Sequence, residues 1–215
     1  VASMHLSGFE HARGKHCGST SLTDLGRFYG WDLSEPACFT VGAGLGFSYI
    51  TDETSPTRFI MGRSPWLEPA FMDHTGVSYV ERAGEPWPDT WERIRARLDE
   101  GTPVLLFVDL YYLDYFETDT HFAPHVVVAI GYEDGHVTLA DSEFDDLQTI
   151  TVADLEAAAT SKYGFYGPLP ARTLAVRDPS IRRERATAAA DGLTLVADSM
   201  LAPDDHDFPA VGTHG

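Results

Sequence analysis

Cys17 stands in "GKHCGSTSLTDL", residues 14–25, directly ahead of a run that reads as the start of a helix. The thiolate, not the thiol, is the nucleophilic form of cysteine. A helix N-terminus favours that anion through its unpaired N–H groups and dipole, and a nearby imidazolium favours it further. His125 opens the apolar run "HVVVAIGY", and Asp141 closes "VTLAD" sixteen residues later. With a hairpin turn at "EDGH", the two fall close to opposite each other at one end of a sheet. A carboxylate there holds one ring nitrogen of the histidine, fixes its tautomer and supports its charge. Cys17, His125 and Asp141 are then the thiol version of nucleophile, base and orienter. The oxyanion formed in acyl transfer needs donors. The Cys17 N–H is one candidate, and His11, six residues upstream, is the candidate second.

Each residue alone has a plainer reading. A cysteine near a helix start is often a small buried hydrophobe, and Cys38 in "ACF" fits that role. The joint occurrence in this order favours catalysis. A zinc site from His11, His16, Cys17, His121 and His125 competes, since His121 and His125 have a ligand-like spacing. Pro124 and the strand that follows break the helical geometry such a pair needs, so no metal and no cofactor are expected. His16, Tyr111, Tyr112, Tyr115 and His121 are candidate substrate contacts, the last four in the aromatic loop "YYLDYFETDTHFAP" together with Phe116; ordinary half-buried packing is the alternative.

The elements that must position these groups follow from periodicity. Residues 19–29 place Leu22, Leu25, Phe28 and Tyr29 at helical offsets, with Gly30 as the stop. Gly42, Gly44 and Gly46 alternate without the spacing or preceding strand of a dinucleotide fingerprint. Weak strands are expected at 58–61 and 77–80, and a helix over 90–100 capped by Thr90. Residues 103–110, 125–132 and 137–141 read as strands, 147–152 as a fourth, "ADLEAAATS" as a short helix and "ARTLAVR" as a last strand. A helix is expected over 179–201, followed by a tail without a core signal. A helix first and then a mostly antiparallel sheet is an α+β layout.

Composition narrows the functions. Of 215 residues 43% are hydrophobic and 12% aromatic, as in a folded globular protein. Two lysines and thirteen arginines face thirty-three acids, for a net charge of -18. That balance disfavours nucleic acid and anionic membrane surfaces as partners. No apolar run has the length of a membrane span, and "VASMHLSGFEH" lacks the features of a secretory signal. Val1–Ser3 are read as extra residues ahead of a start at Met4, and two cysteines suit a reducing cytoplasm.

The stretch from Gly14 to Ile50 resembles the opening of the butirosin biosynthesis protein H N-terminal family. "HCGST" leads the helix, "YGWDLSE" follows, and then the glycine-rich "FTVGAGLGF". "HFAPHVVVAIGYEDGHVTLAD" is similar to that family's His–Asp hairpin, and the likeness spans about residues 9–150. The resemblance implies a papain-like cysteine-peptidase fold, related to the bacteriocin-leader peptidases, with the cysteine helix packed on the sheet that carries His and Asp. It divides the chain into a catalytic core, 1–150, and a C-terminal strand plus helical extension, 151–215, which looks like a short or truncated form of the helical domain that usually follows.

The resemblance also implies an acyltransferase that moves an aminoacyl group from an acyl carrier protein thioester, or another thioester donor, to an amine-bearing small molecule. In butirosin assembly that amine belongs to an aminoglycoside. By motif, Cys17 is the nucleophile, His125 the base and Asp141 the orienter. His11 falls where papain-like enzymes often place an oxyanion-hole glutamine. An acidic carrier docking on this acidic chain needs a local basic patch, for which Arg93, Arg95 and Arg97 are candidates. A cysteine peptidase or amidohydrolase, with water as acceptor, is the runner-up. A non-catalytic binding module of the same fold is the third reading, and homo-oligomerisation stays open.

Overall fold

The structure, a computed structural model, describes residues 3–51, 58–165 and 167–201. The chain opens with a short strand, β1 (Met4–His5), and then the helix α1 (Cys17–Tyr29). Residues 18–26 of α1 are all buried, with Leu22 and Leu25 wholly so. Such a helix lies in the middle of the fold. Its polar residues must therefore find internal partners, and they do: Thr23 Oγ1 donates to the Ser19 carbonyl at 2.7 Å. Gly30 ends α1 in the left-handed conformation, φ 75°, as expected of its position.

Two helices follow that periodicity did not reveal. α2 (Glu35–Val41) begins behind Ser34 with Pro36 in its first turn, and α3 (Leu67–Thr75) carries Pro69 near its start. Proline is compatible with a first turn, where its missing N–H would be unpaired anyway. Between them the strands β2 (Ser48–Thr51) and β3 (Arg58–Met61) form a two-stranded antiparallel sheet. β4 (Ser78–Arg82) leads to α4 (Trp87–Asp99). α4 starts three residues before the expected cap: Pro86 precedes it, and Thr90 is an internal, buried residue.

The remaining elements are β5 (Val104–Val108), β6 (His125–Glu133), β7 (His136–Ala140), β8 (Gln148–Thr151), α5 (Val152–Ala159), β9 (Thr173–Asp178) and α6 (Arg185–Leu201). The main sheet runs β4-β9-β5-β6-β7-β8 with β1 added on β6, and every pairing is antiparallel. β6 is buried along eight of its nine residues, so both its faces are covered; α1 and α4 pack against it. Residues 151–215 divide. β9 inserts between β4 and β5 inside the sheet, and α6 packs on α2 and α3. α6 starts later than expected because residues 182 and 183 donate their N–H groups to the Thr75 carbonyl, at 2.9 and 3.1 Å, instead of winding. The tail expected after it lies outside the described residues.

Candidate active site

Cys17 is the first residue of α1, and His16 caps the helix. The Ser19 N–H donates to His16 Nδ1 at 3.2 Å, so the ring accepts and must be neutral there. Burial, followed by the charge of Arg63, pulls the His16 pKa down to about 4. The structure gives His16, a candidate substrate contact, the further role of helix cap, a place usually filled by Ser, Thr, Asp or Asn.

Glu35, at the start of α2, fixes the same turn from outside. One of its carboxylate oxygens accepts the N–H groups of Lys15 and His16 at 2.9 and 3.0 Å and the hydroxyls of Ser19 and Thr20 at 3.2 and 3.0 Å. Burial works against the charge, yet these bonds together hold the carboxyl below its ordinary value. The single residue sets how the chain enters α1, and so where the sulfur points. The "YGWDLSE" motif contained this residue; its partners, fifteen to twenty positions back, were not visible in it.

His125 opens β6, paired with Val108 of β5. Its Nε2–H donates to Asp141 Oδ2 at 2.9 Å, and the Cys17 thiol lies close enough to interact with the same ring. With Nε2 on the carboxylate, Nδ1 is the nitrogen that remains for sulfur. Asp141 is not directly across from His125. The β6–β7 register pairs Val128 with Ala140, which places Asp141 two residues short of facing His125, on the same side of the sheet. The contact is diagonal, within reach of long side chains. Asp141 is wholly buried, and it also accepts the Tyr115 hydroxyl at 2.9 Å and the Glu143 N–H at 3.1 Å. Phe116 meets the His125 ring edge-to-face at 5.6 Å, and Phe144 packs against both Tyr115 and Phe116. These rings sheathe the His–Asp pair from water.

The charges in this sheath support one another. Burial opposes a charged His125, but the hydrogen bonds with Asp141 and Cys17 outweigh it and push its pKa up to about 10. Burial likewise opposes the Cys17 thiolate, and the bond and charge of His125 reverse it, so the thiol titrates below its ordinary value. Arg63 adds to that lowering and Glu68 subtracts from it. Glu68 is wholly buried; Arg63 Nη1 donates to its Oε1 at 3.3 Å. That same oxygen lies 2.0 Å from where a Cβ on Gly18 would be, so a side chain beside Cys17 would have to displace the Glu68 carboxylate. Cys38 is the opposite case: wholly buried where Cys17 is half-buried, and without a cationic partner of this kind, its thiol is pushed up to about 11.

Three expectations change. His11 donates Nδ1–H to Asp24 Oδ2 at 2.6 Å and Nε2–H to the Phe144 carbonyl at 2.9 Å. Both nitrogens are committed, so the ring has no donor left for an oxyanion. Tyr111, Tyr112 and His121 gather at a second place, where His121 donates to Asp109 Oδ2 at 2.7 Å and stacks between Tyr111 and Tyr163. Of the aromatic-loop residues, Tyr115 bonds Asp141 and Phe116 packs on His125. On α4, Arg93 and Arg97 pair with Glu85 and Glu100, which leaves less free positive charge than the spacing promised. A cavity of about 390 Å³ lies behind the N-terminal turn of α1, lined among others by Gly14, Thr20, Arg27 and Glu35. Cys17 does not line it, so it is not the cleft that presents the sulfur. Among the described residues no group of three or more His, Cys, Asp or Glu could hold a metal, and no helix is long and apolar enough to cross a membrane.

A thiol on the first turn of a central helix, facing a His–Asp pair on an antiparallel sheet, is the layout of the papain-like cysteine enzymes. The solved structure of a Bacillus anthracis protein described as a C39-like peptidase matches this fold with TM-score 0.59 at 14% identity, over 84% of this chain and 100% of that one. SERA5E from Plasmodium falciparum overlaps more loosely, with TM-score 0.44 at 9% identity, over 83% of this chain and 93% of that one. No curated protein sequence matches the chain. The family model described as butirosin biosynthesis protein H, N-terminal, matches residues 16–142, and the chain belongs to that family. Family and fold together make it a papain-like cysteine enzyme.

Proposed function

We propose that the chain is a cysteine acyltransferase with Cys17 as nucleophile, His125 as acid–base and Asp141 as orienter. The observation that carries this reading is the position of His125, which holds Asp141 at 2.9 Å and lies close enough to the Cys17 sulfur for each group to shift the other's pKa. The Cys17 thiolate attacks the carbonyl of an acyl thioester, and the His125 imidazolium gives its proton to the departing thiol. An acyl-enzyme thioester and neutral His125 remain. An amine then attacks that carbonyl, His125 takes the amine proton, and the Cys17 thiolate leaves. The original ion pair is restored. The N–H groups of Cys17 and Gly18 lie in the first helical turn, where no carbonyl four residues back is available to them, and they are the donors for the oxyanion.

The family supports transfer over hydrolysis, since its description names the biosynthesis of butirosin. The resemblance read from the sequence extends the proposal to a carrier-protein thioester as donor and an amine-bearing small molecule of the aminoglycoside kind as acceptor. The sheath of Tyr115, Phe116 and Phe144 works in the same direction by keeping water from the His–Asp pair. The peptidase-like structural neighbour favours a second reading, in which water opens the acyl-enzyme.

The test is intact-protein mass after exposure to a panel of acyl thioesters, with and without amines. An acyl adduct on Cys17 that amines discharge into amides supports transfer. Discharge to free acid at the same rate with or without amines supports hydrolysis. No adduct from any thioester, with Cys17 alkylating no faster than a free thiol, removes both readings.

A further inference from the structure

His11 occupies an unusual position between the two halves of the site. Its side chain is only 3% exposed. On one side Nδ1 meets Asp24, a buried residue of α1, two turns beyond Cys17 on the same helix. On the other side Nε2 meets the carbonyl of Phe144. Phe144 belongs to the turn that begins at Asp141: its own N–H donates to the Asp141 carbonyl at 3.1 Å, and its ring packs on Tyr115, the residue that holds the Asp141 carboxylate. The segment after His11 is tied to the same turn, with Gly14 N–H on the Ser142 carbonyl at 3.0 Å.

Both partners of the ring are acceptors. Asp24 already takes Arg27 Nη1 on its other oxygen at 2.6 Å, as an ionised carboxylate does, and a backbone carbonyl can only accept. A ring that bonds both must carry both protons. The groups that face it are Asp24 and Arg27 from α1, the Phe144 and Asp141 carbonyls from the turn after β7, and, further out, the exposed Arg13–Glu143 pair. Burial opposes the charge, but Asp24 and the two carbonyls outweigh it and raise the His11 pKa.

We propose that His11 is a positioning residue: a buried imidazolium that bolts the Asp141 turn to the Cys17 helix and so sets how His125 meets the sulfur. It touches no reacting atom and acts through Asp24 on one side and Phe144 on the other. This rests on Cys17 and His125 being the reactive pair, as proposed above. A small error in the relative placement of two such groups is costly, since a shift of about 1 Å is worth on the order of a hundredfold in rate.

The experiment follows the rate of Cys17 alkylation by iodoacetamide against pH, in the wild type, His11→Ala, His11→Gln and Asp24→Asn, with folding checked by circular dichroism. His11→Ala is expected to move the thiol midpoint up by about one pH unit and to slow alkylation at neutral pH about tenfold. His11→Gln keeps a donor for the Phe144 carbonyl without the charge and is expected to lie between His11→Ala and the wild type. Asp24→Asn leaves the ring in place and removes the carboxylate that holds its second proton; a smaller shift in the same direction is expected. A purely structural role would lower the melting temperature and leave the midpoint of the folded protein where it was. A folded His11→Ala with the wild-type midpoint overturns the proposal. Should His11→Ala not fold, Asp24→Asn with the wild-type midpoint does so. A wild type whose Cys17 titrates like free cysteine overturns the catalytic reading itself, and that outcome is read before any variant is compared.

Discussion

His121 and His125 lie four residues apart, and each places a ring nitrogen on a wholly buried carboxylate: Asp109 at 2.7 Å and Asp141 at 2.9 Å. The surroundings differ. The His125 side chain is 5% exposed and its ring also interacts with the Cys17 thiol. The His121 side chain is 27% exposed, and its two faces are covered by Tyr111 at 4.1 Å and Tyr163 at 3.8 Å. Asp141 takes one side-chain hydroxyl and one backbone N–H besides its histidine. Asp109 takes the Ser161 hydroxyl at 2.6 Å and the N–H groups of Tyr111 and Phe122. The carboxylate does much the same for both rings. A His–Asp pair becomes chemical equipment only when a group that can exchange a proton sits on the far side of the ring. Where aromatic faces and backbone N–H groups surround it, the same pair is a knot that ties the end of β5 to the aromatic loop and to the residues after α5.

The comparison breaks if the wrong histidine controls the thiol. His125→Ala is expected to slow iodoacetamide labelling of Cys17 at neutral pH by about a hundredfold or more, because the thiol loses the partner that lowers its pKa. His121→Ala is expected to leave the labelling rate unchanged. Equal slowing in both would sink the distinction. Cys38 provides an internal control: buried and with its thiol pushed up, it should stay unlabelled throughout.

The aspartates should reverse the ranking between reactivity and stability. Asp141→Asn is expected to slow the first acylation by about tenfold or more, since an amide holds the wrong tautomer of His125 and offers it no countercharge. Asp109→Asn sets an NH2 group against donors in a buried place, and is expected to cost about 2–4 kcal/mol in urea unfolding. Its acylation rate, measured on the folded protein, should match the wild type. A stable Asp109→Asn with a slow Cys17 would show that the two pairs are coupled.

The pH dependence sharpens the contrast. His125 is raised from 6.5 to about 10, so the stability its charge contributes is fully present below about pH 6.5 and is lost as the pH rises through about 10. The Cys17 thiol is lowered, so its contribution is present above the ordinary thiol range and is lost as the pH falls through the depressed value. Between the two the site is an ion pair. Cys17→Ser removes one of the groups that hold up the His125 proton, and NMR titration should find that proton leaving at a lower pH than in the wild type. The His121 resonances, followed in the same spectra, should not move with the substitution.

What could be read in advance follows the range of the interactions. The α+β layout, the papain-like fold and the family were legible because "HCGST", "YGWDLSE" and the alternation of "HVVVAIGYEDGHVTLAD" are local patterns. The closeness of His125 and Asp141 follows from the hairpin, although its turn centres on Asp134–Gly135, so that even with the register shift between Ala129 and Gly131 Asp141 falls opposite Val127 and the pair is diagonal rather than facing. His11 was misread because its second acceptor, the Phe144 carbonyl, is 133 residues away, and a backbone carbonyl carries no sequence signal. The capping role of His16 was not visible in the sequence because imidazole is a rare helix cap. The aromatic loop looked like one surface; the fold sends Tyr115 and Phe116 to one His–Asp pair and Tyr111 and Tyr112 to the other. α2 and α3 escaped because Pro36 and Pro69, which suit a first turn, read as breaks in short segments.

The smallest expected effect comes from Glu68, which acts on the thiol and has no counterpart at His121. Its carboxylate presses on Gly18, raises the Cys17 pKa, and partly offsets the lowering by Arg63, to which it is bonded. Glu68→Gln removes a negative charge that disfavours the thiolate. It also releases Arg63 from its countercharge, which favours the thiolate. Both changes have the same sign, so the alkylation midpoint should move down, by about half a pH unit. The amide is close in size to the carboxylate, so the packing against Gly18 is kept. One oxygen of Glu68, Oε2, is buried without a hydrogen-bond partner, and an uncharged group there is cheaper to bury. The variant should therefore be no less stable than the wild type while its cysteine is more acidic. An upward midpoint would mean that Glu68 works mainly by holding Arg63 toward the sulfur. The environment of Cys17 would then be set by geometry more than by charge, and the contrast with His121 would have to be drawn on that ground.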